Sequence, residues 1–172
     1  MTNVTVPESF LLAPYFQKDE IITTLTDDTF KLTLKKQPLL FDIYDQLQVD
    51  SQVKPWEKKY FYIPILIENW QETEPGIIEL FKVRDRKQVL FPMKIMILTF
   101  IAMLFWTNGK AVPGLIKITD QVKKLSVKPV NVEERLEFIL SIPNQYHAFT
   151  QLKTLFSELE KKYAVLKLKE KG

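Results

Sequence analysis

Proton chemistry near neutral pH has one candidate side chain, His147, in the stretch "SIPNQYHAFTQL". Ser141 lies six residues earlier, across Pro143. A serine nucleophile needs its hydroxyl brought to an oriented imidazole and an oxyanion hole beside it, and nothing local supplies either. The competing reading of His147 is a hydrogen bond that caps or bridges helices. Two carboxylate pairs, Glu68 with Glu72 and Glu133 with Glu137, sit one helical turn apart. That spacing suits a hard cation held by oxygen, and it equally describes a solvated helix face, so no metal site is expected. Asp27-Asp28 reads as turn chemistry.

Other chemistries are excluded by residue type. The chain has no cysteine, so disulfides, thiolate metal sites and a cysteine nucleophile are ruled out. Its four glycines stand singly at 76, 109, 114 and 172, which leaves neither a Walker A loop nor a dinucleotide fingerprint. No cofactor is expected, and an enzyme with a site near His147 is the third of three functional readings.

Charge is more informative. Residues 1–81 carry 7 basic and 13 acidic side chains, whereas 82–172 carry 17 and 8. The excess sharpens over 82–128, where Lys82, Arg84, Arg86, Lys87, Lys94, Lys110, Lys117, Lys123, Lys124 and Lys128 face only Asp85 and Asp120. Such a surface gathers polyanions and is what phosphate contacts require. An acidic protein partner uses the same physics, and the acidic N-terminal half could satisfy the patch within a homodimer. No helix-turn-helix, zinc-finger or aromatic ribonucleoprotein signature accompanies it.

The elements that must position these residues follow from periodicity. The most apolar run, "LFPMKIMILTFIAMLFWTNGK" at 90–110, contains a charge-free segment from Ile95 to Trp106. Twelve residues make about 18 Å of helix, short of a bilayer core of about 30 Å, so a buried helix over about 91–107 is expected. Asn108-Gly109 is its stop signal. Leu39, Leu40, Ile43, Tyr44 and Leu47 share a helical face after Pro38. "PWEKKYFYIPILIENWQ" predicts a kinked helix or two pieces around Pro64, and "PGIIELFKV" a separate short helix ending in "RDRK". A short helix is expected within 111–129, and a further one after Asn131 as N-cap. Tyr146, Phe149, Leu152, Phe156, Leu159, Tyr163 and Leu166 step by three or four, giving a long amphipathic helix. Residues 1–36 read as an irregular arm or a small β-hairpin around Asp27-Asp28, followed by a helical domain over 37–172. "MTNVTVPESF" has no basic and apolar leader pattern, so no secretory signal is expected.

The block "NVEERLEFILSIPNQYHAFTQLKTLFSELEKKY", with "KPWE" at 54–57 and "FWTNGK" at 105–110, resembles the YpoC-like family, small uncharacterised proteins of Gram-positive bacteria. The resemblance implies an all-helical cytoplasmic domain, usually encoded near replication and DNA-repair genes. The family carries no assigned activity, so no catalytic residue is implied. Positions marking a shared site would be Trp56, Trp106, Asn108, Arg135, Tyr146 and His147. Packing is the competing reading for both tryptophans.

The chain thus reads as a mostly α, single-domain bundle around a buried apolar helix. The leading function is non-enzymatic binding through the basic surface of 82–128, to a protein partner or a second copy. Nucleic-acid binding in replication or repair is the alternative, and no membrane partner is expected. Trp106, Asn108, Arg135, Tyr146 and His147 would form a smaller polar site.

Overall fold

The computed structural model describes residues 2–24, 26–50 and 53–171; Met1, Leu25, Ser51, Gln52 and Gly172 lie outside that description. The described chain is mostly helical, with a two-stranded antiparallel sheet, β1 (Thr2–Thr5) on β2 (Ile21–Thr24), Thr2 opposite Thr24 and Thr5 opposite Ile21. Then come α1 (Phe30–Lys36), α2 (Leu40–Gln46), α3 (Lys59–Lys82), α4 (Arg86–Thr107), α5 (Ile118–Val122), α6 (Val132–Ser141) and α7 (Tyr146–Lys171).

The expected buried helix is α4, and it begins five residues earlier than the apolar run suggests. Asp85 caps it, its Oδ1 accepting from the Gln88 amide at 3.0 Å. Pro92 is carried inside the helix: the carbonyl it deprives of a partner belongs to Gln88, an exposed residue whose carbonyl water can satisfy. Among the described residues α4 is the one helix long and apolar enough to cross a membrane, yet 72% of its apolar stretch is covered by the rest of the protein. Every residue from Met96 to Thr107 is buried. Neighbours on all sides account for a helix apolar all round.

α3 runs unbroken for 24 residues where a kinked helix or two pieces, followed by a separate short helix, were expected. Pro64 and Pro75 are eleven residues apart, three helical turns, so they share one face, and both are exposed. Pro64 frees the carbonyl of half-buried Tyr60 in the first turn and Pro75 that of exposed Gln71, and the helix survives both. α3 doubles back onto α4 through the turn at Val83–Asp85, and α7 packs on α4 and α6. Phe156 of α7 stacks on Trp70 of α3 at 4.4 Å between centroids and meets Phe100 of α4 edge-on at 5.4 Å. This aromatic contact joins the three long helices.

The N-terminal region holds a small two-stranded hairpin, one of its two expected forms, but not around Asp27-Asp28. Its strands are joined by residues 6–20, not by a turn at Asp27-Asp28, and Phe30, Leu32 and Leu34 lie on α1, capped by Thr29. Alternation over five residues also fits a helix whose single buried position is Leu34. The region is docked: Val6, Phe10, Tyr15, Phe16 and Ile22 join the common core, and the Tyr15 hydroxyl donates to the Leu140 carbonyl at 2.8 Å. Asn131 stands at the expected N-cap of α6 but in left-handed conformation, φ 55°, with no side-chain capping bond; its carbonyl accepts from the Arg135 amide.

A cationic cleft with an aromatic floor

Two helix ends set the site. α3 closes with the Asp85 amide donating to the Leu80 carbonyl and the Arg84 amide to the Phe81 carbonyl, so Arg84 takes the left-handed position at φ 57°. α4 closes identically, Lys110 to Phe105 and Gly109 to Trp106, but there the left-handed residue is a glycine, φ 70°. An arginine where glycine is the relaxed choice is local strain, held by the surrounding turn.

That strained turn borders a cleft of about 900 Å³ between the end of α3, the start of α4 and the first turns of α7. Phe81 meets Tyr146 edge-on at 5.5 Å and Phe149 at 5.6 Å, and with Ile78 these rings form its floor. α7 contributes Tyr146, Phe149, Thr150, Lys153 and Thr154 because positions three, four and seven apart share a helix face. The rim carries Lys82, Arg84, Arg86 and Lys153. Lys153 Nζ pairs with Glu74 at 3.2 Å and Lys82 Nζ with Glu79 at 3.1 Å. Among the described residues Arg84 and Arg86 pair with no carboxylate, and both are exposed. Thr150 and Thr154 donate their hydroxyls back to the carbonyls of His147 and Thr150. The cations and the Tyr146 hydroxyl are therefore the donors lining the cleft. Tyr146 remains 58% exposed, leaving a ring face open for contact.

The basic residues of 82–128 do not gather on one face: Lys117 lies by Leu140 and Ser141 at the end of α6, and α4, whose 22 residues span about 33 Å, carries Lys94 and separates two groups along the chain. Lys82, Arg84, Arg86 and Lys87 lie at its start. Lys110, Lys117, Lys123, Lys124 and Lys128 follow its far end. Lys128 is occupied there, Nζ bonding Glu133 at 2.9 Å and the Lys123 carbonyl at 2.8 Å.

The five residues of the smaller polar site also separate. Trp106 is fully buried, its Nε1 donating to Asp42 Oδ2 at 2.9 Å. The Asn108 side chain donates to the Leu104 and Val127 carbonyls and accepts from the Val127 amide, each at 2.8 Å, tying the 123–131 connection to the end of α4. Arg135 clamps α6 to α7, Nη1 to Glu158 at 2.6 Å and Nε to Gln151 at 3.1 Å. Tyr146 alone of the five lines the cleft, at the opposite end of α4 from Trp106. His147 is exposed on the first turn of α7, and the Ser141 hydroxyl donates to Phe138 within α6. Trp56 is partly buried against the core. Glu68 and Glu72 both take Lys31 Nζ, at 2.8 and 2.6 Å, as a salt-bridged helix face.

Sequence reasoning missed Lys153, Phe81 and Phe149 as companions of the two arginines, although the three-and-four spacing on α7 already aligned Phe149 with Lys153. It also missed Asp42, whose signal was a lone acid inside "LLFDIY".

Fold and cleft together define a small helical bundle, built on one buried apolar helix, that presents a cationic, aromatic-floored hollow. The chain belongs to the YpoC-like protein family, whose model matches residues 60–171 and so includes the whole cleft. It is 34% identical over 153 residues to Uncharacterized protein YpoC of Bacillus subtilis (strain 168), covering 89% of this chain and 92% of that one. No solved structure matches it.

Proposed function

We propose that this is a non-enzymatic binding or adaptor protein that takes an acidic polypeptide segment, bearing an apolar or aromatic side chain, into the cleft beside Arg84 and Arg86. The observation that carries this reading is the pairing of two uncompensated guanidinium groups with a floor of Phe81, Tyr146 and Phe149. A buried aromatic or aliphatic anchor inside a charged rim is the usual anatomy of a recognition site, and about 900 Å³ accommodates a few side chains. Guanidinium groups bind carboxylates through paired hydrogen bonds, which suits an acidic segment. Nucleic acid is favoured less, because the basic residues of 82–128 are divided between the start of α4, Lys94 on that helix, Lys117 beside Leu140 and Ser141, and a Lys128 already bound to Glu133, rather than set along one track.

The test is fluorescence anisotropy with a labelled peptide of alternating glutamates around a central tryptophan, run beside a tryptophan-free control and single-stranded DNA. Arg84→Glu/Arg86→Glu accompanies the native chain. The reading expects peptide binding that weakens about tenfold without the tryptophan and is lost in the variant, since desolvated charge pairs and anchors each contribute about 1–3 kcal/mol. DNA binding stronger than peptide binding, with a steep salt dependence, overturns it in favour of phosphate contacts.

A further inference from the structure

A second surface lies at the far pole of the bundle, independent of the cleft. The last residue of α7 buried in the core is Tyr163, and the helix continues to Lys171, about 12 Å further. That extension is held in place. Glu170 accepts from the Tyr60 hydroxyl and pairs with Lys59 Nζ at 3.3 Å, fastening the end of α7 to the start of α3. Lys59 Nζ also donates to the Thr107 carbonyl at the end of α4. With its inner side pinned by Glu170, the extension turns Val165 and Leu168 outward, 51% and 75% exposed. Lysines flank this ridge on both sides. Lys161, Lys162 and Lys169 border a hollow of about 330 Å³ shared with Ser126 and Val127, and Lys167 and Lys171 border another of about 620 Å³. Among the described residues Lys161, Lys162, Lys167 and Lys169 make no ion pair, and the one acid in the segment, Glu170, is already engaged.

From this arrangement we infer that the α7 extension is a docking surface for an anionic lipid bilayer. An outward aliphatic ridge between lysine rows is the pattern of an interfacial helix: the aliphatics enter the headgroup boundary while long lysine stems reach the lipid phosphates. The charge is supplied by lysine alone, as point charges responding to a surface potential rather than forks selecting one group. Phosphates of a nucleic acid would engage the same lysines and leave Val165 and Leu168 uncovered, so the ridge decides for the bilayer. The contact is peripheral and separate from the buried α4.

The experiment is co-sedimentation of the full chain with vesicles of phosphatidylcholine alone and of phosphatidylcholine with phosphatidylglycerol in a two-to-one mixture. Two variants run alongside: Val165→Asp/Leu168→Asp, and Lys161→Glu/Lys162→Glu/Lys169→Glu. All five positions are exposed, and circular dichroism melts confirm that each variant folds. The inference expects binding to the anionic vesicles only, reduced about tenfold or more in each variant, because hydrophobic insertion and charge both contribute. No sedimentation with anionic vesicles at low salt overturns it. Binding lost in the lysine variant but intact in the aspartate variant also overturns it, and reassigns the surface to polyanions such as nucleic acid.

Discussion

The Trp106 indole N–H donates to Asp42 Oδ2 across 2.9 Å, with both side chains withdrawn from solvent. The same oxygen accepts from the Val112 amide at 2.7 Å, so one carboxylate joins α2, the end of α4 and the connection that follows. Burial pushes the Asp42 carboxyl up to about 7, although the Trp106 and Val112 hydrogen bonds pull the other way.

That shift has a sign. An unfolded aspartate loses its proton near pH 4, whereas the folded Asp42 holds its proton up to about 7. Between these values the folded state binds more protons, so the stabilisation that Asp42 contributes is full below about pH 4 and is lost as pH rises through about 7. Asp42→Asn keeps an acceptor for Trp106 and cannot ionise. Thermal melts from pH 5 to 8 should show the native chain losing stability relative to Asp42→Asn, by an amount on the order of a few kcal/mol at pH 8.

Arg84 holds the position that Gly109 holds at the other cap. Relieving the left-handed arginine through Arg84→Gly should raise stability by about 0.5–1 kcal/mol, the strain partly offset by the extra freedom of an unfolded glycine. The same substitution should weaken binding of the acidic peptide severalfold. Urea titration and anisotropy on one preparation would then show stability and binding moving in opposite directions.

Gly114, at φ 148°, meets the N-terminal segment closely, and the Leu115 and Ile116 amides both donate to the Ser9 carbonyl, at 2.8 and 3.1 Å. A Cβ on Gly114 would stand 2.5 Å from that carbonyl oxygen. Because the obstacle is backbone, Gly114→Ala should cost roughly 2–3 kcal/mol in chemical denaturation. Hydrogen exchange should show the protection of residues 6–16 falling first.

Phe156→Ala removes the ring shared by Trp70 and Phe100. The cavity lies where three helices meet, so little can collapse into it, and the loss should be about 3–5 kcal/mol. The denaturation midpoint should drop without a change in the sign of the pH dependence set by Asp42.

How far the sequence could be read depended on whether the cause was local. The apolar segment 95–106 and the spacing of Tyr146 through Leu166 announced α4 and α7, since burial and periodicity are written in consecutive residues. The continuity of α3 was hidden because the penalty for Pro64 and Pro75 depends on whether the freed carbonyls face water, which packing decides. Asp42 and Trp106 are 64 residues apart, and nothing in either neighbourhood names the other. The cationic signal at Lys82, Arg84 and Arg86 was legible, but its aromatic floor needed α7 to be laid against the α3–α4 turn. The same folding left Lys110 through Lys128 outside the lining of the cleft and turned Asn108 and Arg135 into clamps.

The central claim is that the cleft at Arg84 and Arg86 receives an acidic segment. Its most direct measurement is a titration of isotope-labelled protein with the tryptophan-centred glutamate peptide, followed by amide and arginine side-chain NMR shifts. Saturable shifts confined to residues 78–86 and 146–154 are expected, with the Arg84 and Arg86 Nε–H signals moving furthest. Saturation with shifts gathered instead at 123–128 and 161–169, or no shifts at peptide excess, would contradict it.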